Sequence, residues 1–176
     1  MNRYLLAVAS IAALLLVSSA RADAQEFSAK FSGFNEIGAL NSETGAILSD
    51  GQGTLKLNLD RVAKTATYEL TYSGLKDVTQ AHIHFGKIHV AGNVIVFLCT
   101  NLGNGTAGTP TCPPTGGTVS GALGPGSVVG QASQNITAGD FDALEDALTS
   151  NTAYGNIHTM KFLKGEIRGE IRRSAD

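Results

Sequence analysis

Leu55, Leu57 and Leu59, followed across residues 60–64 by Ala66, Tyr68, Leu70 and Tyr72, place an apolar side chain at every second position. A period of two turns one face of a strand to a core and the other to solvent, and two such runs around a short polar turn form a hairpin. The same alternation recurs in Phe27, Ala29 and Phe31, and 93–98 is a nearly unbroken apolar run of buried-strand length. Residues 118–121, 127–132, 153–159 and 165–172 are further strand candidates. One stretch departs from the rule. Thr137-Ala138-Gly139-Asp140 resembles a capping box, and Phe141, Leu144 and Leu148 follow at helical spacing, which predicts about three turns of helix. Roughly eight strands with Gly-rich turns and no strand–helix alternation predict an all-β fold, an antiparallel Greek-key β-sandwich with one short inserted helix. Residues 33–53 and 102–117 are polar and glycine-rich and read as loops at the sandwich ends, where binding surfaces often sit.

The chain begins with Arg3, an apolar run from Leu5 to Val17 interrupted by Ser10, and Ala22-Asp23-Ala24. This is the pattern of a secretory signal peptide over 1–24, leaving 25–176 as a single domain that is secreted or periplasmic/extracellular. The apolar run is shorter than the 20 or so residues a membrane span requires, so no span is expected after cleavage. The whole chain has a formal charge of −2, and loss of Arg3, Arg21 and Asp23 with the leader takes it to −3. With no basic cluster, nucleic acid is not an expected partner. No GxxxxGK[ST] or GxSxG is present, and no Ser, Cys or paired carboxylate stands in a nucleophile or acid–base context, so catalysis without a metal is not expected. Export also bears on Cys99 and Cys112, which are separated by twelve residues rich in Gly, Thr, Asn and Pro. In an oxidising compartment they are expected to close a disulfide across a long loop, since a redox or metal-binding pair would want CxxC spacing or a neighbouring histidine. Asn104 and Asn135 begin glycosylation sequons.

The histidines are the candidate chemistry. His82 and His84 lie two apart in a strand candidate, so their imidazoles leave the same face while Ala81, Ile83 and Phe85 leave the other. If the strand carrying His158 adjoins theirs, three nitrogens suited to zinc or copper meet. The alternative is three neutral imidazoles hydrogen-bonded inside the fold. A metal bound there would be displaced by protons as pH falls through the histidine range near 6.5. Glu166, Arg168, Glu170 and Arg172 alternate in sign on one face of the last strand candidate. They form either a solvated edge or a polar cluster in which Glu166 or Glu170 accepts a histidine N–H and fixes its tautomer. His89 is expected in an exposed turn. The exported Cu,Zn superoxide dismutases also carry an H-x-H strand in a β-sandwich, but their further His and Asp ligands find no counterpart here.

As a set, Ala81-His82-Ile83-His84-Phe85-Gly86, the strand Val94-Ile95-Val96-Phe97-Leu98-Cys99 with Cys112-Pro113, Tyr154-Gly155-Asn156-Ile157-His158-Thr159 and Gly165-Glu166-Ile167-Arg168-Gly169-Glu170-Ile171 resemble the chordin-type (CHRD) domain, from about Phe27 to Arg172. The likeness extends to the short, exported bacterial members of that family. Chordin itself is an extracellular antagonist of growth-factor ligands. The resemblance implies an extracellular β-sandwich module and no particular reaction. The function expected is that of a non-catalytic extracellular or cell-envelope module binding a protein or polysaccharide, with a copper- or zinc-binding protein at His82, His84 and His158, open to redox activity, as the alternative. Gly155, Leu163 and Glu170 depart from the family pattern.

Overall fold

The computed structural model describes residues 24–37 and 45–174. The predicted leader therefore lies outside the described residues, except that Ala24 opens the first strand. Among the described residues there are nine strands and one α-helix: β1 (Ala24–Ser32), β2 (Gln52–Asp60), β3 (Thr65–Ser73), β4 (Val78–Phe85), β5 (Asn93–Thr100), β6 (Gly117–Leu123), α1 (Phe141–Thr149), β7 (Ala153–Thr159), β8 (Ile167–Glu170) and β9 (Arg172–Arg173). All pair antiparallel in the order β5-β4-β7-β8-β1-β2-β3-β6, with β9 also on β1. The connections β3 to β4, β5 to β6 and β6 to β7 each leave one neighbour and join another, as expected for a Greek-key arrangement.

The leucine–tyrosine hairpin forms as its pattern predicts. Leu55 faces Leu70 and Leu57 faces Tyr68 across β2 and β3. The turn is held by Asp60, whose Oδ1 accepts from the backbone N–H of Val62 and Ala63 at 3.0 and 2.9 Å, an Asx turn that returns the chain in register. In α1, Asp140 rather than Thr137 is the cap, accepting from Ala143 N. The helix runs nine residues, shorter than the three turns expected, and it buries Phe141, Leu144, Ala147 and Leu148. Its buried Glu145 pairs with Arg61 and Lys64 of the β2–β3 turn.

Two strand expectations need correction. Residues 127–132 form no strand: Val128 makes a single bridge to Val96 between 3-10 turns at Pro125–Ser127 and Ala132–Gln134. Ser127 N and Val128 N bond back to Gly124 O and Pro125 O within the first of these turns, so the start of the run has no free N–H for a ladder. The run 165–172 is interrupted at Ile171, whose N–H bonds to Ala153 O while its side chain is fully buried.

The two ends of the sheet approach each other. Cys99 at the end of β5 is disulfide-bonded to Cys112, and Tyr68 on β3 donates to Leu98 O at 2.6 Å. The sheet thereby curls around a core that includes Leu55, Leu59, Leu70, Ile83, Ile95, Leu98, Ile157 and Ile167, all at 0% exposure. Strand β4 lies between β5 and β7, and β7 between β4 and β8. Their residues are buried on both faces apart from Gln80 and Phe85, which are partly exposed.

Candidate metal centre

Strand period and register assemble the centre. On β4, Ala81 and Ile83 enter the core, so His82 and His84 leave the opposite face. Register sets Asn156 opposite His82, Tyr154 opposite His84 and His158 opposite Gln80, and β8 adds Arg168 beside Asn156 and Glu170 beside Tyr154. His82, His84 and His158 are 2, 7 and 7% exposed, and each offers a ring nitrogen within 4.8 Å of the other two. The three predicted histidines are thus brought together, while His89 is exposed in its turn.

The protons are fixed by the backbone. His84 Nδ1 lies 2.9 Å from Gly92 O and His158 Nδ1 lies 2.9 Å from Leu163 O. A carbonyl only accepts, so both rings carry their proton on Nδ1 and leave Nε2 bare. Both bare nitrogens then face one oxygen, Asn156 Oδ1, at 2.9 Å from His84 and 3.0 Å from His158. The amide nitrogen of Asn156 faces the buried carboxyl of Glu36. His82 Nδ1 stands 3.2 Å from His158 Nε2 and donates to it, which leaves the buried His82 Nε2 without a partner. The His82 N–H is thus a ring proton directed into the cluster. Burial is the main cause that holds all three rings below the ordinary histidine range, His84 at about 4, so the rings are neutral at pH 7.

The expected carboxylate partners are corrected. Glu166 accepts from Ser49 at 2.6 Å and Thr159 at 2.7 Å, and Glu170 accepts from Arg168 at 2.8 Å. The backbone carbonyls of Gly92 and Leu163 do for the tautomers what those carboxylates were expected to do. Nor is Arg168 part of a solvated edge. It is 1% exposed, and its guanidinium carbon lies 3.3 Å from the centroid of the Tyr154 ring, with Lys87 O and Val90 O accepting from it. Tyr154 in turn stacks on His84, with ring centroids 4.7 Å apart and planes 8° apart, and its hydroxyl accepts from Gly92 N at 3.0 Å. Arginine, tyrosine and histidine form one column that fixes the His84 ring and the carbonyl it serves. Phe97 closes the other side, edge-on to His82 with centroids 4.6 Å apart.

Sequence reasoning missed Asn156, Tyr154 and Glu36. The first two share the parity of His158 and were legible in principle. Glu36 belongs to an aperiodic loop, and burial raises its carboxyl to about 7. Gly165 at φ +119° makes room for it, since a Cβ there would stand 2.4 Å from Glu36 Oε2. The departure at Gly155 has a steric reason as well: a Cβ would meet Phe31 Cζ at 2.7 Å.

No curated protein and no solved structure matches the chain. The family model for the CHRD domain matches residues 27–171, which takes in the described strands from Phe27 to Ile171, the disulfide and all three histidines. The chain belongs to the CHRD-domain family.

Proposed function

We propose that this protein is an exported, non-catalytic CHRD-domain module that binds one transition-metal ion between His82, His84 and His158. The observation that carries the reading is the geometry: three buried imidazoles offer ring nitrogens within 4.8 Å of one another, and two of them, His84 and His158, have their N–H groups committed to backbone carbonyls and turn bare Nε2 atoms inward. Metal-ligating histidines are held in this way, with the second nitrogen tied to a fixed acceptor. Donors up to 4.8 Å apart must draw in somewhat, since nitrogens on one tetrahedral ion lie about 3.3 Å from each other at bond lengths near 2.0 Å. Export is supported by the leader pattern of residues 1–24, by the bonded cysteine pair and by the family.

The test is equilibrium dialysis of the mature, chelator-stripped protein against copper and zinc, run once in air and once under anaerobic reduction. One equivalent of a metal ion should be retained under at least one condition and lost in His84→Gln and in His158→Gln. Saturation should raise the stability of the wild type, by about 2.7 kcal/mol at a hundred times Kd. No stoichiometric metal under either condition would remove the reading.

A further inference from the structure

Resting on the metal reading above, the structure assigns the centre a preference of charge: we propose that it takes monovalent copper, Cu(I), ahead of any divalent ion. The donor set supplies no negative charge, being three neutral imidazoles. Of the carboxylates around the centre, Glu166 is engaged with Ser49 and Thr159 and Glu170 with Arg168, while Glu36 stands behind the amide of Asn156. One fixed positive charge stands close by, because the Arg168 guanidinium lies on Tyr154 and Tyr154 lies on His84. Glu170 offsets part of it. An ion entering between side chains that are 2 to 7% exposed loses nearly all of its water. That loss grows with the square of the charge, so desolvation costs a divalent ion about four times what it costs a monovalent one of the same size, and none of its ligands is an anion to offset it.

Coordination points the same way. The three rings leave one face of two adjacent strands, and so approach an ion from one side. Zinc completes such a set with a fourth ligand, commonly water or an anion. Here the group in that position is Asn156 Oδ1, a neutral amide oxygen between the two bare nitrogens. A d¹⁰ monovalent ion is satisfied by three nitrogens in trigonal array and asks for neither the fourth ligand nor the charge. A divalent ion would need ionised Glu36, across Asn156, as its counter-charge. That is the competing arrangement.

Competition titrations with the mature protein separate the two. The probes are Cu(I) against bicinchoninate without oxygen, Ag(I) as a monovalent ion of fixed valence, and Zn(II) and Cu(II) against chromophoric chelators. Cu(I) and Ag(I) should each bind with one equivalent, and Cu(I) should exceed Zn(II) in affinity on the order of a hundredfold or more. Asn156→Asp, which places a carboxylate in the fourth position, should raise Zn(II) affinity at least roughly tenfold and narrow that gap. Glu36→Gln should leave Cu(I) binding unchanged. Wild-type Zn(II) or Cu(II) binding as tight as Cu(I), lost in Glu36→Gln, would overturn the monovalent preference while leaving a metal site in place. An unchanged Zn(II) to Cu(I) ratio in a folded Asn156→Asp protein would also overturn it. Failure of all four ions would remove the metal reading itself.

Discussion

Glu36 shows how a single residue can set the pH response of this fold. Its side chain is buried, one oxygen has no hydrogen bond, and burial lifts its pKa from 4.5 to about 7. A group raised in the folded state stabilises fully below its unfolded value and loses that contribution as pH rises through the folded one. Glu36→Gln keeps a neutral group of the same shape, so its stability relative to wild type should improve between pH 5 and pH 8, by up to about 3 kcal/mol. Denaturant titrations at the two pH values check this, and equal differences at both would refute it. The histidines act with the opposite sign. Lowered in the folded state, their contribution is complete above about 6.5 and drains away as pH falls toward about 4, the value for His84. Protons therefore compete for the folded rings well below the 6.5 expected from sequence, because that expectation assumed solvated imidazoles. His82 and His158 also touch directly, at 3.2 Å. The double replacement by glutamine should deviate from the sum of the single ones by more than about 0.5 kcal/mol, and additivity would show that the rings act independently.

At the scale of elements, β4 was the most legible part of the site and β8 the least. Period two alone places His82 and His84 together on one face, and the observed burial follows that parity. The alternating charges of β8 left a solvated edge and a polar cluster equally open, because alternation reports which residues share a face and is silent on whether that face meets water. Sheet order decides the matter, and sheet order arises from pairings between distant segments: β8 lies inside, between β7 and β1. Glu36 was illegible for a related reason, since a loop has no periodicity to say where a side chain points. The buried arginine supplies a test. Arg168→Ala strands Glu170 and the Lys87 and Val90 carbonyls and should cost about 3–5 kcal/mol. Arg168→Lys should recover little, because a lysine ammonium lacks the flat fork that lies on Tyr154 and reaches three acceptors at once. A lysine variant within about 0.5 kcal/mol of wild type would show that charge alone suffices.

Over the whole molecule, the alternation of apolar residues sufficed to predict an antiparallel β fold with one helix, since burying one face of so many short strands leaves few arrangements. The pairing of Cys99 with Cys112 followed from two cysteines and a compartment. This bond closes a loop with a sequence separation of 13, and its reduction should cost on the order of 3 kcal/mol. The melting temperature should fall by roughly 6–12 °C on that cost. Scanning calorimetry with and without reductant measures it, and an unchanged transition would mean that Tyr68 and the adjoining strands hold the seam unaided.

The pairing of β4 with β7 has a consequence for the order of events in time. Between these strands the chain must still lay down β5, β6 and α1, so a partly folded chain possesses His82 and His84 well before His158 can join them. Closing so long a loop is slow, and contacts that depend on it form late. An ion held by all three rings would then stabilise the native state and leave the folding transition state almost untouched. In stopped-flow experiments its addition should slow unfolding in proportion to the stability gained and leave the refolding rate as it was. Refolding accelerated by the ion would show instead that the two ends of the site meet at the start.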